Sequence, residues 1–254
     1  MKTFFYKYGL IAYLIVGVSQ LAVGQTFFGT TRAGGTTGGG TIFRVNADGS
    51  GLTTDYNFQV DANPGRGPDY AQMVLVNGLL YGVMPNGGKN DTGLLFSYNP
   101  IDNTYTKKID FDDQVLTGWG PIGTLCLANG KLYGTTKEGG TKYNGTIFQY
   151  DPTNNTFTKK VDFDKTISGS TPLGGLTSAT NGKFYGMTIG GGANDKGVLF
   201  EYDGSSTVTK KIDFDGLLKG SLPLRNLKEA GGKLYGMTVA GGINDKGVLS
   251  SALF

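Results

Sequence analysis

Three pairs of aspartates are the residues in this chain whose type and spacing are best suited to chemistry. The two carboxylates of each pair are separated by one phenylalanine: Asp110 and Asp112, Asp162 and Asp164, and Asp213 and Asp215. Side chains two residues apart share one face of a β-strand. Two carboxylates on one face can chelate Ca²⁺ or act as the acid and base of a glycosidase. A lysine predicted on the same face precedes each pair: Lys108, Lys160 and Lys211. These lysines favour a solvated, neutralised strand face over a Ca²⁺ site.

Other residue types that carry chemistry are scarce. The chain has no His and a single Cys, Cys126, which alternates with leucines and is expected to be a buried, inert thiol. Ser-His-Asp and Cys-His catalysis, His-containing zinc sites and Cys-rich metal sites are therefore excluded. A glycosidase needs individually different carboxylates that converge at one site, whereas these aspartates recur in the same context. The sequence indicates no catalytic residue, no metal ligands and no cofactor, and the chain is predicted not to be an enzyme.

Weaker candidates for ligand binding lie in Gly-rich loops. They are the polar residues at one end of each unit: Asn90, Asp91, Asn144, Asn194, Asp195, Asn244 and Asp245. Asn and Asp tolerate left-handed turn geometry, so loop structure alone explains them. Alternatively, they form a ring of polar groups that hydrogen-bonds sugar hydroxyls. Trp119, the only Trp, departs from the repeat and either wedges two units apart or stacks on a sugar or a partner.

One pattern that occurs five times positions these residues. An aromatic residue is followed by Gly, then by a Gly-Gly pair, a further Gly and a short apolar run, and the aromatics are 50 to 53 residues apart: Phe28, Tyr81, Tyr133, Tyr185 and Tyr235. So constant a period indicates one supersecondary unit repeated in tandem. Gly makes up 44 of the 254 residues, which favours turns and strands over helices.

Four strands are predicted within each unit. In the third unit they cover residues 123–128, 131–136, 146–150 and 156–163, and Asn129-Gly130 is a two-residue hairpin turn. Four short antiparallel strands are typical of a propeller blade. The predicted fold class is therefore all-β, a β-propeller-like array of about five four-stranded blades of about 52 residues, with the first and last blades incomplete. The blades form one domain over residues 25–254, with units starting near residues 26, 79, 131, 183 and 233. The Tyr of each Tyr-Gly pair is expected to be buried between blades.

Residues 1–24 are expected to be a signal peptide. Lys2 and Lys7 precede an apolar stretch from Leu10 to Val18, and Ala22-Val23-Gly24 offers small residues for cleavage. The apolar stretch is shorter than the roughly 20 residues of a membrane span. The protein is therefore expected to be secreted or held at the cell surface, with no membrane span once the leader is removed. A net charge of +3 gives no reason to expect nucleic acid as a partner.

The repeat resembles a known family. Its landmarks in the third unit are Lys131-Leu132-Tyr133-Gly134-Thr135-Thr136, Gly139-Gly140, Asn144-Gly145-Thr146-Ile147-Phe148 and Tyr150-Asp151-Pro152. These resemble the GloVer tandem repeat of exported, choice-of-anchor bacterial proteins, and they are distantly similar to kelch blades. The resemblance extends from Thr26 to about Leu249. It implies a propeller-like fold and export, and it specifies no activity.

The expected function is an exported, non-catalytic module for binding or cell-surface interaction with a glycan or protein ligand. One alternative is a polysaccharide-acting hydrolase on a propeller scaffold, and another is a purely structural surface spacer. The incomplete terminal blades, at residues 26–58 and 223–249, expose unpaired strand edges and so favour self-association.

Overall fold

A computed structural model describes residues 25–59, 65, 67–68 and 72–253, and in these residues the chain is all-β with no helix. The expected signal peptide, residues 1–24, lies outside the described residues. The strands form five antiparallel sheets. Each of the three central sheets has four strands and each of the outer two has three, which agrees with incomplete first and last units.

The strands follow one another in space as they do in sequence. The first sheet contains β1 (Thr26–Thr31), β2 (Thr41–Asn46) and β3 (Thr53–Asn57). The second contains β4 (Val74–Val76), β5 (Leu79–Met84), β6 (Leu94–Asn99) and β7 (Thr104–Asp110). The third contains β8 (Trp119–Ala128), β9 (Lys131–Glu138), β10 (Thr146–Asp151) and β11 (Thr156–Asp162). The fourth contains β12 (Thr177–Ser178), β13 (Phe184–Met187), β14 (Val198–Tyr202) and β15 (Val208–Asp213). The fifth contains β16 (Lys228–Ala230), β17 (Lys233–Met237) and β18 (Leu249–Leu253).

The predicted hairpin turn of the third unit is confirmed. Asn129 and Gly130 connect β8 to β9 with φ values of 51° and 72°. Positive φ at both central residues is the requirement of a type I′ turn, and its twist matches that of the two strands. This turn sets the register in which Leu132 pairs with Leu127 and Tyr133 pairs with Cys126.

A bulge interrupts the last strand of the first four sheets. In the second sheet Leu95 pairs with Ile109, but Phe96 pairs with Lys107, so Lys108 is the extra residue. Lys160 and Lys211 are the corresponding extra residues of the third and fourth sheets. A bulge shifts the alternation of side chains by one position. Simple alternation through these strands, as the sequence suggested, therefore assigns the lysines to the wrong faces.

Among the described residues the core forms four apolar clusters, each between two neighbouring sheets. The first three Tyr-Gly tyrosines fill these interfaces and are almost fully buried: Tyr81 is 3% exposed, Tyr133 6% and Tyr185 1%. Tyr133, for example, packs on Phe184 of the following sheet, with 4.6 Å between ring centroids. The prediction of burial is wrong for Tyr235, which is 38% exposed. Its side chain lies on the outer face of the fifth sheet, which none of the other described sheets covers.

Cys126 of β8 lies at the edge of the cluster between the third and fourth sheets. It is partly buried and forms no disulfide, and its burial raises the pKa of the thiol. A thiol with a raised pKa holds little thiolate near neutral pH, so this environment favours the inert side chain that the sequence predicted. Across the part of the chain that the structure describes, no helix has the length and apolar character that crossing a membrane requires.

Candidate functional site

The Gly-Gly loops between the second and third strands lie at one end of the second to fifth sheets. In three of them the aspartate predicted from sequence braces the loop, because its Oδ1 accepts a hydrogen bond from the N–H of the first Gly of the pair. The donor–acceptor distances are 2.7 Å for Gly87 to Asp91, 2.8 Å for Gly191 to Asp195 and 2.6 Å for Gly241 to Asp245. These aspartates have φ values of 50–57°, the left-handed region that Asp tolerates.

Three asparagines of the Gly-Gly loops reach the residues just after the last strand of the same sheet. The Nδ2 of Asn90 donates to the carbonyl of Asp112, that of Asn194 to Phe214, and that of Asn144 to Phe163, over 3.4, 3.0 and 3.4 Å respectively. Asn244 is exposed at the matching place in the fifth sheet. Most of the predicted polar ring thus has structural hydrogen bonds, as the loop interpretation requires. Binding of a ligand by these residues stays a prediction.

Tyr143 occupies the position that an aspartate occupies in the other three loops. It is the third residue after Gly140, as Asp91 is after Gly88, and it has a φ of 60°. A bulky residue in the left-handed region is uncommon, and the aromatic ring cannot accept the bracing hydrogen bond. The side chain is 66% exposed. Sequence analysis selected Asn144 and missed Tyr143, although counting residues from each Gly-Gly pair reveals the correct alignment.

Trp119 lies at the same end of the third sheet. It begins β8 and pairs with Glu138, the last residue of β9, which leads into the loop that carries Tyr143. The equivalent bridge residues of the next two sheets are serines, Ser170 and Ser221. Trp119 is half-buried, and its indole Nε1 is buried without a hydrogen-bond partner among the described residues. Next to it, the N–H of Gly120 donates to the carbonyl of Thr92 in the preceding unit's loop over 2.7 Å. The position between two sheets therefore suits both roles considered for this Trp.

The paired aspartates bind separate partners. The first of each pair forms an ion pair with the lysine three residues earlier, and the N–O distances are 2.8, 2.8 and 2.9 Å: Lys107 to Asp110, Lys159 to Asp162, and Lys210 to Asp213. The bulge brings these lysines onto the carboxylate's side, so the expected neutralisation by Lys108, Lys160 and Lys211 is wrong.

The second aspartates of the pairs face other groups. Asp112 pairs with Lys89 over 3.1 Å, and Asp164 pairs with Lys142, which holds the pKa of the Asp164 carboxyl well below its usual range. Asp215 accepts hydrogen bonds from backbone N–H groups of the turn that follows it. Among the described residues, no three His, Cys, Asp or Glu side chains are grouped as a metal ion would require.

A family comparison decides the relationship. A sequence model described as the Gloeobacter/Verrucomicrobia repeat matches residues 23–250. The chain belongs to this repeat family. Comparison with curated proteins gives no match.

The fold of this member of the Gloeobacter/Verrucomicrobia repeat family is similar to a solved structure titled as a nidogen/laminin complex. The matched chain is 13% identical, the match covers 85% of this chain and 68% of that one, and the TM-score is 0.51. Identity this low shows the fold alone, which is β-propeller-like. Most of the loop residues that recur in the repeat have structural hydrogen bonds, whereas Trp119 and Tyr143 depart from the repeat at the same end of one sheet.

Proposed function

We propose that this chain is an exported, non-catalytic repeat module that binds an extracellular glycan or protein through the loop end of its third sheet. The observation that carries the proposal is Tyr143. It replaces a loop-bracing aspartate with an exposed aromatic ring in left-handed geometry, which is unfavourable for the loop. Exposed aromatic residues stack on sugar rings and anchor protein partners, and they combine an apolar face with a polar tip. Trp119 lies half-buried at the same end of the sheet.

The state of the carboxylates supports a binding module over a hydrolase. A glycosidase needs one carboxylic acid whose pKa is raised so that it stays protonated. Where the pKa of a described carboxyl group departs from its usual value, it is lowered. Asp195 is one case, since the backbone N–H of Gly191 and the Lys165 ammonium both favour its ionised form.

Export rests on the leader predicted at residues 1–24. The solved structure with the similar fold is a nidogen/laminin complex, which supports a protein as one class of partner for this chain.

The test is a binding experiment on a glycan array and with candidate surface proteins, using the purified chain and the variant Tyr143→Asp. The variant introduces the bracing aspartate of this chain's other three loops, so its thermal stability should rise while its binding falls at least about tenfold. Because Trp119 is the only Trp, its fluorescence should shift on binding. Retained binding by the variant would contradict the assigned surface. Release of reducing sugar would identify a hydrolase, and the absence of binding and turnover would identify a spacer.

Self-association is a second interaction that we propose, and it rests on the outer face of the fifth sheet. Tyr235, Met237 and Leu249 are 38%, 63% and 71% exposed there. The same residue types, Tyr185, Met187 and Leu199, are buried in the fourth sheet beneath the fifth.

The first sheet of a second copy fits this face, because Phe27 of β1 is exposed, as is Leu52 just before β3. Phe27 precedes the aromatic-Gly pair, as the covering residue Leu234 does. Sedimentation should show reversible association that Leu249→Lys weakens. A monomer at all concentrations, identical in the two proteins, would contradict this proposal.

A further inference from the structure

In the first four sheets one phenylalanine lies over the Gly of the aromatic-Gly pair. The cross-strand pairs are Gly29 with Phe43, Gly82 with Phe96, Gly134 with Phe148, and Gly186 with Phe200. The ring covers each Gly so closely that a Cβ there would collide with its Cζ. The Gly is thus required by the ring, and the two residues form one packing unit.

The fifth sheet keeps the Gly and loses the ring. Gly236 pairs with Ser250, at the position that Phe200 has opposite Gly186. Two residues later Ala252 pairs with Leu234, whereas Tyr202 pairs with Phe184 in the fourth sheet. Two large aromatic side chains that face the preceding sheet are therefore replaced by small ones.

A cavity lies where these rings are missing. Its volume is about 160 Å³, and it lies between the fourth and fifth sheets. Its apolar walls are formed by Met187, Leu199, Ile212, Phe214, Leu227 and Leu234, and Ser250 and Ala252 line it from β18. Thr238, a polar residue of the wall, already donates to the carbonyl of Ala240 and accepts from the N–H of Val248. Lys219, Ser250 and Ser251 also line the cavity, so its walls are mostly apolar with a few polar groups.

Phe214 indicates the shape of the molecule that fits. In each of the three preceding interfaces, the counterpart of Phe214 packs edge-to-face on the phenylalanine that corresponds to Ser250. The centroid distances are 6.1, 5.1 and 5.1 Å for Phe58 on Phe96, Phe111 on Phe148, and Phe163 on Phe200. Opposite Phe214 the corresponding residue is Ser250. An aromatic ring in the cavity would restore this edge-to-face contact and lie near the Met187 sulfur, both of which are favourable.

We propose that this cavity is a binding site for a small aromatic molecule with one six-membered ring and no charge. An apolar cavity of about 150 Å³ is large enough for benzene, and a dry apolar cavity gains from being filled. The site lies between two sheets and is separate from the loop end of the third sheet, so it does not depend on the binding function proposed above.

The experiment is titration of the purified chain with benzene and with cyclohexane. Binding is monitored through the methyl resonance of Met187 and through the melting temperature. Benzene should shift the resonance saturably and raise the melting temperature, and cyclohexane should bind about tenfold more weakly because it lacks a π-system. Ser250→Phe introduces the residue found at this position in the first four sheets and should remove the response to benzene.

Ser250→Leu fills the site with a smaller group and should weaken benzene binding even if the Phe variant folds poorly. Leu249→Phe is the matched control. It adds a ring one residue away on the exposed face, and it should leave the benzene response unchanged. The proposal would be overturned if the unmodified chain showed no saturable shift. It would also be overturned if both Ser250 variants responded to benzene as strongly as the unmodified chain. Equal affinity for cyclohexane would overturn its aromatic specificity.

Discussion

The tetrapeptide Lys-Leu-Tyr-Gly occurs at residues 131–134 and again at 233–236, and it provides a controlled test of what covers each sheet. Tyr133 is 6% exposed beneath the fourth sheet, whereas Tyr235 is 38% exposed. A buried aromatic side chain removes about 150–250 Å² from water, which at about 25 cal/mol per Å² corresponds to about 4–6 kcal/mol. A compact denatured state reduces this by about 10–40%. Tyr133→Ala should therefore cost about 3–5 kcal/mol. Tyr235→Ala should cost less than about 1 kcal/mol.

The assay is urea unfolding of both alanine variants and of Tyr133→Phe and Tyr235→Phe, which keep the ring and serve as controls. Far-UV circular dichroism should report on all sheets, whereas the fluorescence of Trp119 reports on the third. Both signals are needed because repeat arrays can unfold in parts. Each phenylalanine variant should lose far less stability than the alanine variant at Tyr133.

An equal loss for the two alanine variants would refute the reasoning, because it would mean that the outer face of the fifth sheet is covered in solution. Repeating the measurement at several protein concentrations separates two causes. A loss at Tyr235 that grows with concentration indicates a second copy on this face. A loss that is independent of concentration indicates cover from within the same chain.

Three further predictions follow from packing and charge. Burial raises the pKa of Tyr98 and Tyr150 to about 12, above the value of about 10 in the unfolded chain. The stabilisation from these neutral tyrosines should therefore be fully present below pH 10 and be lost between pH 10 and 12. Melting temperatures and tyrosinate absorbance measure this. Asp195→Ala should lower the melting temperature of the chain and leave ligand binding unchanged, since the carboxylate braces its own loop. Gly134→Ala should destabilise by about 1–3 kcal/mol in urea unfolding, because a Cβ collides with a buried ring, whereas Gly236→Ala meets flexible side chain ends beside a cavity and should cost less.

Much of the fold could be predicted from the sequence because each unit contains similar turn residues. The strands predicted at residues 131–136 and 146–150 are β9 and β10, each extended by one or two residues. Asn129-Gly130 can form only a few kinds of turn, and it fixes the register of both strands that it joins. Local residues thus determine local structure, and five similar units determine five similar sheets.

The errors arise where a distant residue or one extra residue decides the outcome. Lys108 is the extra residue of a β-bulge, and the alternation of side chains in the sequence around it does not reveal the shifted register. Tyr235 has the same neighbours in sequence as Tyr133, yet its burial depends on a sheet that would have to follow it in space. In the candidate site, the bracing role of Asp195 could be inferred from loop chemistry. The exposure of Tyr143 and the buried N–H of Trp119 depend on packing between units.

The departures from the repeat identify where function is to be sought, because each is unfavourable for the scaffold. Tyr143 lacks the carboxylate that braces the other loops, and its backbone is in the left-handed conformation. This conformation costs about 1–3 kcal/mol for a non-glycine residue. Ser250 leaves a cavity of about 160 Å³ in an interface whose three counterparts are filled by a phenylalanine ring. A tandem repeat offers the favourable residue at every such position. Restoring it at Tyr143 or Ser250 should therefore stabilise the chain and remove one kind of binding, and a restored residue that changes neither would show that the departure carries no function.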